Sequence, residues 1–199
     1  MGRAETEPER GIESGAESTG RAIVAGVPAR DESAAYYHRY IDRVIGAGPD
    51  VIGILQSQRE DTLAFLERFS EEQSRFRYAP GKWTAREVLS HVNDCERLFV
   101  FRAMWFARGF ESPLPSFDQE VAAVSARADA VAWVRHVEEF RGIRLASEAF
   151  FGNLPEEAWS RRGLASDNPF TVRALAYVTA GHLVHHREIL RERYLPPAG

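Results

Sequence analysis

Four stretches of the chain carry apolar residues at the 3.6-residue period of an amphipathic helix, and nothing in it reads as a sheet. The first runs from about Asp50 to Phe69, with Ile54, Leu55, Leu63, Leu66 and Phe69 along one side. The second begins in KWTAREVLSH and reaches about Arg108, the third spans roughly Asp129 to Phe151, and the fourth runs from about Thr171 to Tyr194. A helix with one apolar stripe is stable only when that stripe is buried against another element, so four of them predict an all-α four-helix bundle.

The boundaries carry their own signals. Thr84 can cap the second helix, Glu87 three residues on completes a capping box, and Trp83 and Val88 form the flanking apolar pair. PFTVRAL repeats that order at the start of the fourth helix, with Ala174 in place of the capping acid. Gly109, Pro113 and Pro115 end the second helix, and Pro155, Gly163 and Pro169 punctuate the way from the third to the fourth. Residues 110 to about 127 span on the order of 50 Å if extended. That is enough to return along a bundle and set the second and third helices parallel, leaving the second and fourth antiparallel.

Composition excludes several classes of function. With 44% hydrophobic and 27% charged residues the 199-residue chain has the make-up of one globular domain. A net charge of −4, and no block of basic residues, exclude a phosphate-neutralising nucleic-acid surface. The lone cysteine, Cys95, excludes an internal disulfide framework and a multi-cysteine zinc site. No apolar run approaches the length of a membrane span or a secretory signal, so a cytoplasmic protein with no membrane partner is expected. Residues 1–30, rich in Glu, Gly, Ser and Arg, read as a disordered leader, and 31–199 as the bundle domain. The aromatic cluster Tyr36, Tyr37, His38 and Tyr40 reads as a strap anchored against it.

The six histidines, at 38, 91, 136, 182, 185 and 186, are the most informative side chains. Residues four apart on a helix point nearly the same way, so His182 and His186 can present two imidazoles to one ion, with His182 and His185 as the competing pair. The stripe through Leu175, Val178 and Ile189 includes His182 and His186 and leaves His185 at its edge. On the second helix His91 shares an inward row with Cys95, Leu98 and Arg102. In an antiparallel pair His91 and His186 come level within about 3 Å along the axis. Three inward neutral imidazoles suit a divalent ion with open coordination positions. Read from spacing alone, they can equally be separate residues bonded to carbonyls or carboxylates.

The run KWTAREVLSHVNDCERLFVFRAMWFARGFESPLPSFDQE, followed by TVRALAYVTAGHLVHHREILRERYL, resembles the DinB-like and YfiT-like superfamily of metal-dependent enzymes over roughly residues 33 to 195. Its most specific parts are the histidine in WTxxEVLxH and the GHxxHH run. The resemblance implies a four-helix bundle with a long connection between helices two and three, and a divalent metal on His91, His182 and His186. Zinc or nickel is the expected ion, with iron also suited to imidazole. Branches of the family are thiol-dependent transferases, which implies a low-molecular-weight thiol and an electrophile as small-molecule substrates. A homodimer is implied by analogy with relatives. The alternatives are a hydrolase that uses a hydroxide generated at the metal, and a non-catalytic metal-binding bundle of a stress response.

Secondary candidates lie around these ligands. His185, Asp94 and Glu96 are placed to orient an imidazole or move a proton, and Arg102 to contact a substrate carboxylate. Ahead of that contact, both Arg102 and Arg144 are expected to form buried ion pairs with Asp94, Glu96 or Glu148. Cys95 is expected to be a small core residue outside the metal shell, and His38 and His136 to be structural.

Overall fold

The computed structural model describes residues 25–195. Six α-helices are present among them: α1 Ala35–Ile41, α2 Val51–Leu66, α3 Ala85–Ala107, α4 Gln119–Ala126, α5 Trp133–Gly152 and α6 Val172–Arg193. The four long ones, α2, α3, α5 and α6, are the four periodic stretches, each within a few residues of its expected ends. No described helix is long and apolar enough to cross a membrane.

Capping explains where the two site-bearing helices begin. The Thr84 hydroxyl accepts from the Glu87 amide at 3.1 Å while the Thr84 amide donates to the Glu87 carboxylate at 2.7 Å. Thr171 caps α6 by accepting from the Ala174 amide at 3.0 Å, a half box, as the missing acid requires.

Cross-helix bonds fix the directions. Thr84 meets Asp129, Asn93 meets the His136 carbonyl, and Arg144 meets Glu96, so numbering rises together on α3 and α5 and the two are parallel. Tyr194, at the end of α6, donates to the carbonyl of Trp83, just before α3, at 2.6 Å. At the opposite end Arg161, shortly before α6, donates to the Ala107 carbonyl, so α3 and α6 are antiparallel. Gln58 on α2 donates to Ala180 on α6, and Arg187 on α6 to Thr62 on α2, which makes those two parallel. The order is up, down, down, up, and the connection between α3 and α5 has to travel the length of the bundle. It does so partly as α4, capped by Asp118, rather than as extended chain throughout.

A small antiparallel hairpin, β1 Arg162–Ala165 and β2 Asn168–Thr171, precedes α6 and corrects the expectation of no strands. Four-residue strands are too short for periodicity to register, and Gly163 and Pro169 read only as punctuation. The turn residues Ser166 and Asp167 both have positive φ, 52° and 59°, so this is a two-residue turn of the primed kind built without glycine. A Cβ at Gly163 would collide with the ring of Phe106, so the hairpin lies directly on α3.

The leader boundary also shifts. Residues 1–24 lie outside the described residues, but the expected leader's last part is packed: Ala25 and Pro28 are buried, and the Ala25 carbonyl accepts from Arg173 at 2.9 Å. Glu32, also buried, binds Arg173 and Thr171, tying this segment to the start of α6.

At mid-bundle, Arg144 on α5 donates to both Glu96 oxygens, at 2.8 and 2.7 Å, and to Gln58 at 3.1 Å, while Ser147 donates to Glu96 at 2.8 Å. This cluster links α2, α3 and α5. Replacing Glu96 with Ala strands a buried guanidinium and lowers the unfolding free energy by about 3–5 kcal/mol. Urea unfolding checks this, and a Glu96→Leu/Arg144→Met double variant recovers most of the loss.

Candidate metal centre

The antiparallel register of α3 and α6 brings His91 opposite His182 and His186. Ring centroids of His91 lie 5.1 Å from His182 and 4.8 Å from His186, and those of His182 and His186 are 4.5 Å apart. The two Nε2 atoms of His182 and His186 face each other at 3.1 Å. His91 and His182 are buried. His186 is half-buried as a residue, yet its Nδ1 is buried and has no hydrogen-bond partner among the described residues.

The other histidines behave differently. His38 bonds the Arg30 carbonyl at 3.0 Å and His136 the Ala128 carbonyl at 2.9 Å, although the Nδ1 of His136 is buried without a hydrogen-bond partner among the described residues. Neither His91 nor His182 bonds a carbonyl or carboxylate among the described residues. The Nε2 of His182 meets that of His186, and the Cys95 sulfur lies 3.6 Å from both ring nitrogens of His91. Reading from spacing alone left separate, carbonyl-bonded histidines open; these three rings instead cluster.

Burial dominates the electrostatics. It pulls the pKa of His91 down to about 4, with the nearby His185 adding to the effect. The pKa values of His182 and His186 fall well below 6.5, again through burial first, then through His186, His91 and His185 at His182 and through His91 and His185 at His186. Burial also pushes the Cys95 thiol up to about 12. At neutral pH the cluster is therefore a set of uncharged nitrogen donors with a protonated thiol alongside.

Ligating atoms of His91, Cys95 and His182 all lie within 4.8 Å of one another, a group able to hold a metal ion. Cys95, expected to be a core residue, has the same four-residue spacing from His91 that separates His182 from His186. An orphaned imidazole nitrogen, neutral donors and a buried position fit a divalent ion. The neighbours that fix the rings are aromatic: Tyr40 sets its edge on His182 and His185 at 5.3 and 5.6 Å, and Trp83 lies 5.0 Å from His91. Tyr40 reaches the cluster because α1 crosses α6 at Gly181, where any Cβ would collide with the Tyr40 backbone. The glycine of the GHxxHH run is thus a contact point between helices.

The secondary candidates are distributed around this centre. His185 sits beside His186, ring centroids 5.0 Å apart, half-exposed at the rim. Glu96 does not reach an imidazole, because Arg144 and Ser147 occupy its carboxylate. Asp94 pairs with Arg97 at 3.5 Å. Arg144 and Glu96 form the expected ion pair, whereas for Arg102 that expectation is corrected: it pairs with no carboxylate among the described residues and lines a cavity with His91, Cys95 and His182. Ser166 on that cavity was not anticipated, since it lies in the hairpin that periodicity missed.

A bundle of this order with a buried histidine cluster between α3 and α6 defines a class of helical protein. The model of the DinB superfamily matches residues 54–190, and the chain belongs to that family. Among solved structures the fold is similar to YfiT from Bacillus subtilis, described as a probable metal-dependent hydrolase with an unusual four-helix bundle topology. The likeness has a TM-score of 0.62 at 16% identity, over 82% of this chain and 91% of that one. No curated protein matches the sequence.

In protein stripped of metal, the neutral imidazoles make stability pH-dependent. A folded pKa below the unfolded 6.5 means the unfolded chain binds more protons between the two values, so stability is lost as pH falls from 6.5 and levels off below the folded pKa. For His91 alone the fall to about 4 corresponds to a loss on the order of 3 kcal/mol. Urea unfolding of chelated protein between pH 7.5 and 4 reads this slope, and His91→Gln reduces it.

Proposed function

We propose that the protein is a metal-dependent enzyme that joins a low-molecular-weight thiol to a small electrophile, with His91, His182 and His186 holding a divalent ion, zinc or nickel before iron. One observation carries the choice of transfer: two cavities flank the imidazoles. One, of about 140 Å³, is lined by His91, Cys95 and His182. The other, of about 270 Å³, is lined by His186, Trp83 and Lys82, and Gln119 at the start of α4 borders both. Two organic reactants fit such an arrangement better than one reactant and water.

An ion held by three imidazoles favours the thiolate form of a sulfur bound beside it, or lowers the pKa of a bound water. The protein's own side chains do the rest. Trp83 and Tyr40 orient the rings and exclude water from them. His185, half-exposed next to His186, carries the thiol proton toward solvent. Sulfur then bonds to the electrophilic carbon, and the leaving group departs with the electrons of the bond it held. The reading gives the ion three neutral nitrogens and leaves the Cys95 thiol protonated beside them, although Cys95 rather than His186 stands in the group of donors that lie within 4.8 Å of one another.

The second reading is a metal-dependent hydrolase, favoured by the description of the YfiT fold relative. With monobromobimane or chlorodinitrobenzene as electrophile, a transferase consumes thiol and electrophile together and stops on chelation. Turnover of chromogenic esters or amides without thiol contradicts it in favour of hydrolysis. Stoichiometric metal with neither activity contradicts both and leaves a metal-binding protein. Elemental analysis of gently purified protein is expected to give one ion per chain, and His186→Ala to come through purification without it. Cys95→Ala is expected to retain the ion.

A further inference from the structure

We infer that Arg102 anchors a carboxylate on the small molecule that occupies the 140 Å³ cavity, so that the substrate on this side of the imidazoles is an organic acid. This rests on the cavity being a reactant site, but its test does not depend on the metal. Three arginines stand among the largest fully buried side chains: Arg86 at 1% exposure, Arg102 at 2% and Arg144 at 0%. A guanidinium does not lose its proton on burial, so each demands compensation. Arg86 has Glu71, and Arg144 has Glu96. Arg102 has no carboxylate within ion-pair distance among the described residues. Burial lowers its pKa, and the neighbouring Tyr37 hydroxyl, a neutral group, is what works against that first.

What Arg102 does bond leaves it incomplete. Its Nη2 donates to the Pro115 carbonyl at 3.1 Å and to the Ser166 hydroxyl at 2.7 Å, while the buried Nε has no partner. Ser166 accepts in that bond, so its own hydrogen is free to donate to an anion beside the guanidinium. The Ser166–Asp167 turn is left-handed at both residues without a glycine, a conformation retained here where it presents that hydroxyl to Arg102. Arg102 lies eleven residues after His91, a rise of about 16 Å, and helical side chains lean back toward the N-terminus, so the guanidinium and the imidazoles bracket the cavity.

Size and donor number narrow the ligand. A cavity of 140 Å³ is close to the roughly 150 Å³ that accommodates benzene, and Phe99, Phe117 and Tyr36 supply aromatic walls. Arg102 Nε and Nη1 make no hydrogen bond among the described residues, so together with the Ser166 hydroxyl the guanidinium has donors left for both oxygens of a carboxylate.

Titration of benzoate, benzamide and phenyl phosphate into the full chain at low salt, followed by calorimetry, tests the inference. Benzoate is expected to bind one per chain, at least about tenfold more tightly than benzamide, before and after chelation. Arg102→Gln is expected to remove that preference. Ser166→Ala, in an accessible turn, is expected to weaken benzoate about threefold or more with unchanged unfolding, and it carries the test if Arg102→Gln does not fold. Equal binding of acid and amide overturns the inference, as does undiminished benzoate binding in Arg102→Gln. Benzoate binding lost on chelation overturns it by putting the anion on the metal, and tighter binding of phenyl phosphate overturns the choice of carboxylate.

Discussion

The meeting of three uncharged imidazoles inside a helical bundle is the constraint on which the rest of the structure depends. A buried ring without a proton partner is costly, and here two rings come from α6 and one from α3, facing one another instead of carbonyls. That requires α3 and α6 to run antiparallel at one register, which requires α3 and α5 to be parallel, which in turn requires the long crossing through α4. The capping box at Thr84 and the half box at Thr171 set where the two helices start, and thereby the depth of His91 and His182. Gly181 adds the close approach of α1 that seats Tyr40 over the rings.

Much of this was legible in the amino acids. The 3.6-residue period placed all four long helices, and the inward faces chose His91, His182 and His186 before any family was considered. Packing keeps those faces inward: His91 and His182 are buried and His186 is half-buried. The length of the connection after Gly109 allowed the parallel pair, although its partial folding into α4 was not foreseen, because Val121 and Val124 stay exposed and α4 buries no stripe that would have marked it. The β1–β2 hairpin was missed for a related reason: strands of four residues offer too few alternations, and a turn of Ser166 and Asp167 lacks the glycine that announces one.

Side-chain partners were less legible than faces. Arg102 and Arg144 both read as inward, and nothing in the sequence says that Arg144 finds Glu96 while Arg102 finds none, since the pairing depends on which helices are neighbours across the bundle. Glu96 was accordingly a candidate to orient an imidazole and is instead committed to Arg144 and Ser147. Cys95 is buried in the core as expected. A lone cysteine on an apolar row is usually packing, yet the four-residue spacing from His91 puts its sulfur against the ring. Its raised thiol pKa, driven by burial, keeps it a bystander in metal-free protein.

The central claim is that the ion's protein ligands are imidazoles alone. X-ray absorption at the zinc edge of zinc-loaded protein measures this directly. The account expects nitrogen and oxygen scatterers at about 2.0–2.1 Å with the outer-ring signal of three imidazoles and no sulfur. A scatterer at about 2.3 Å would place Cys95 in the ligand set, and the absence of imidazole scattering would remove the histidine centre altogether.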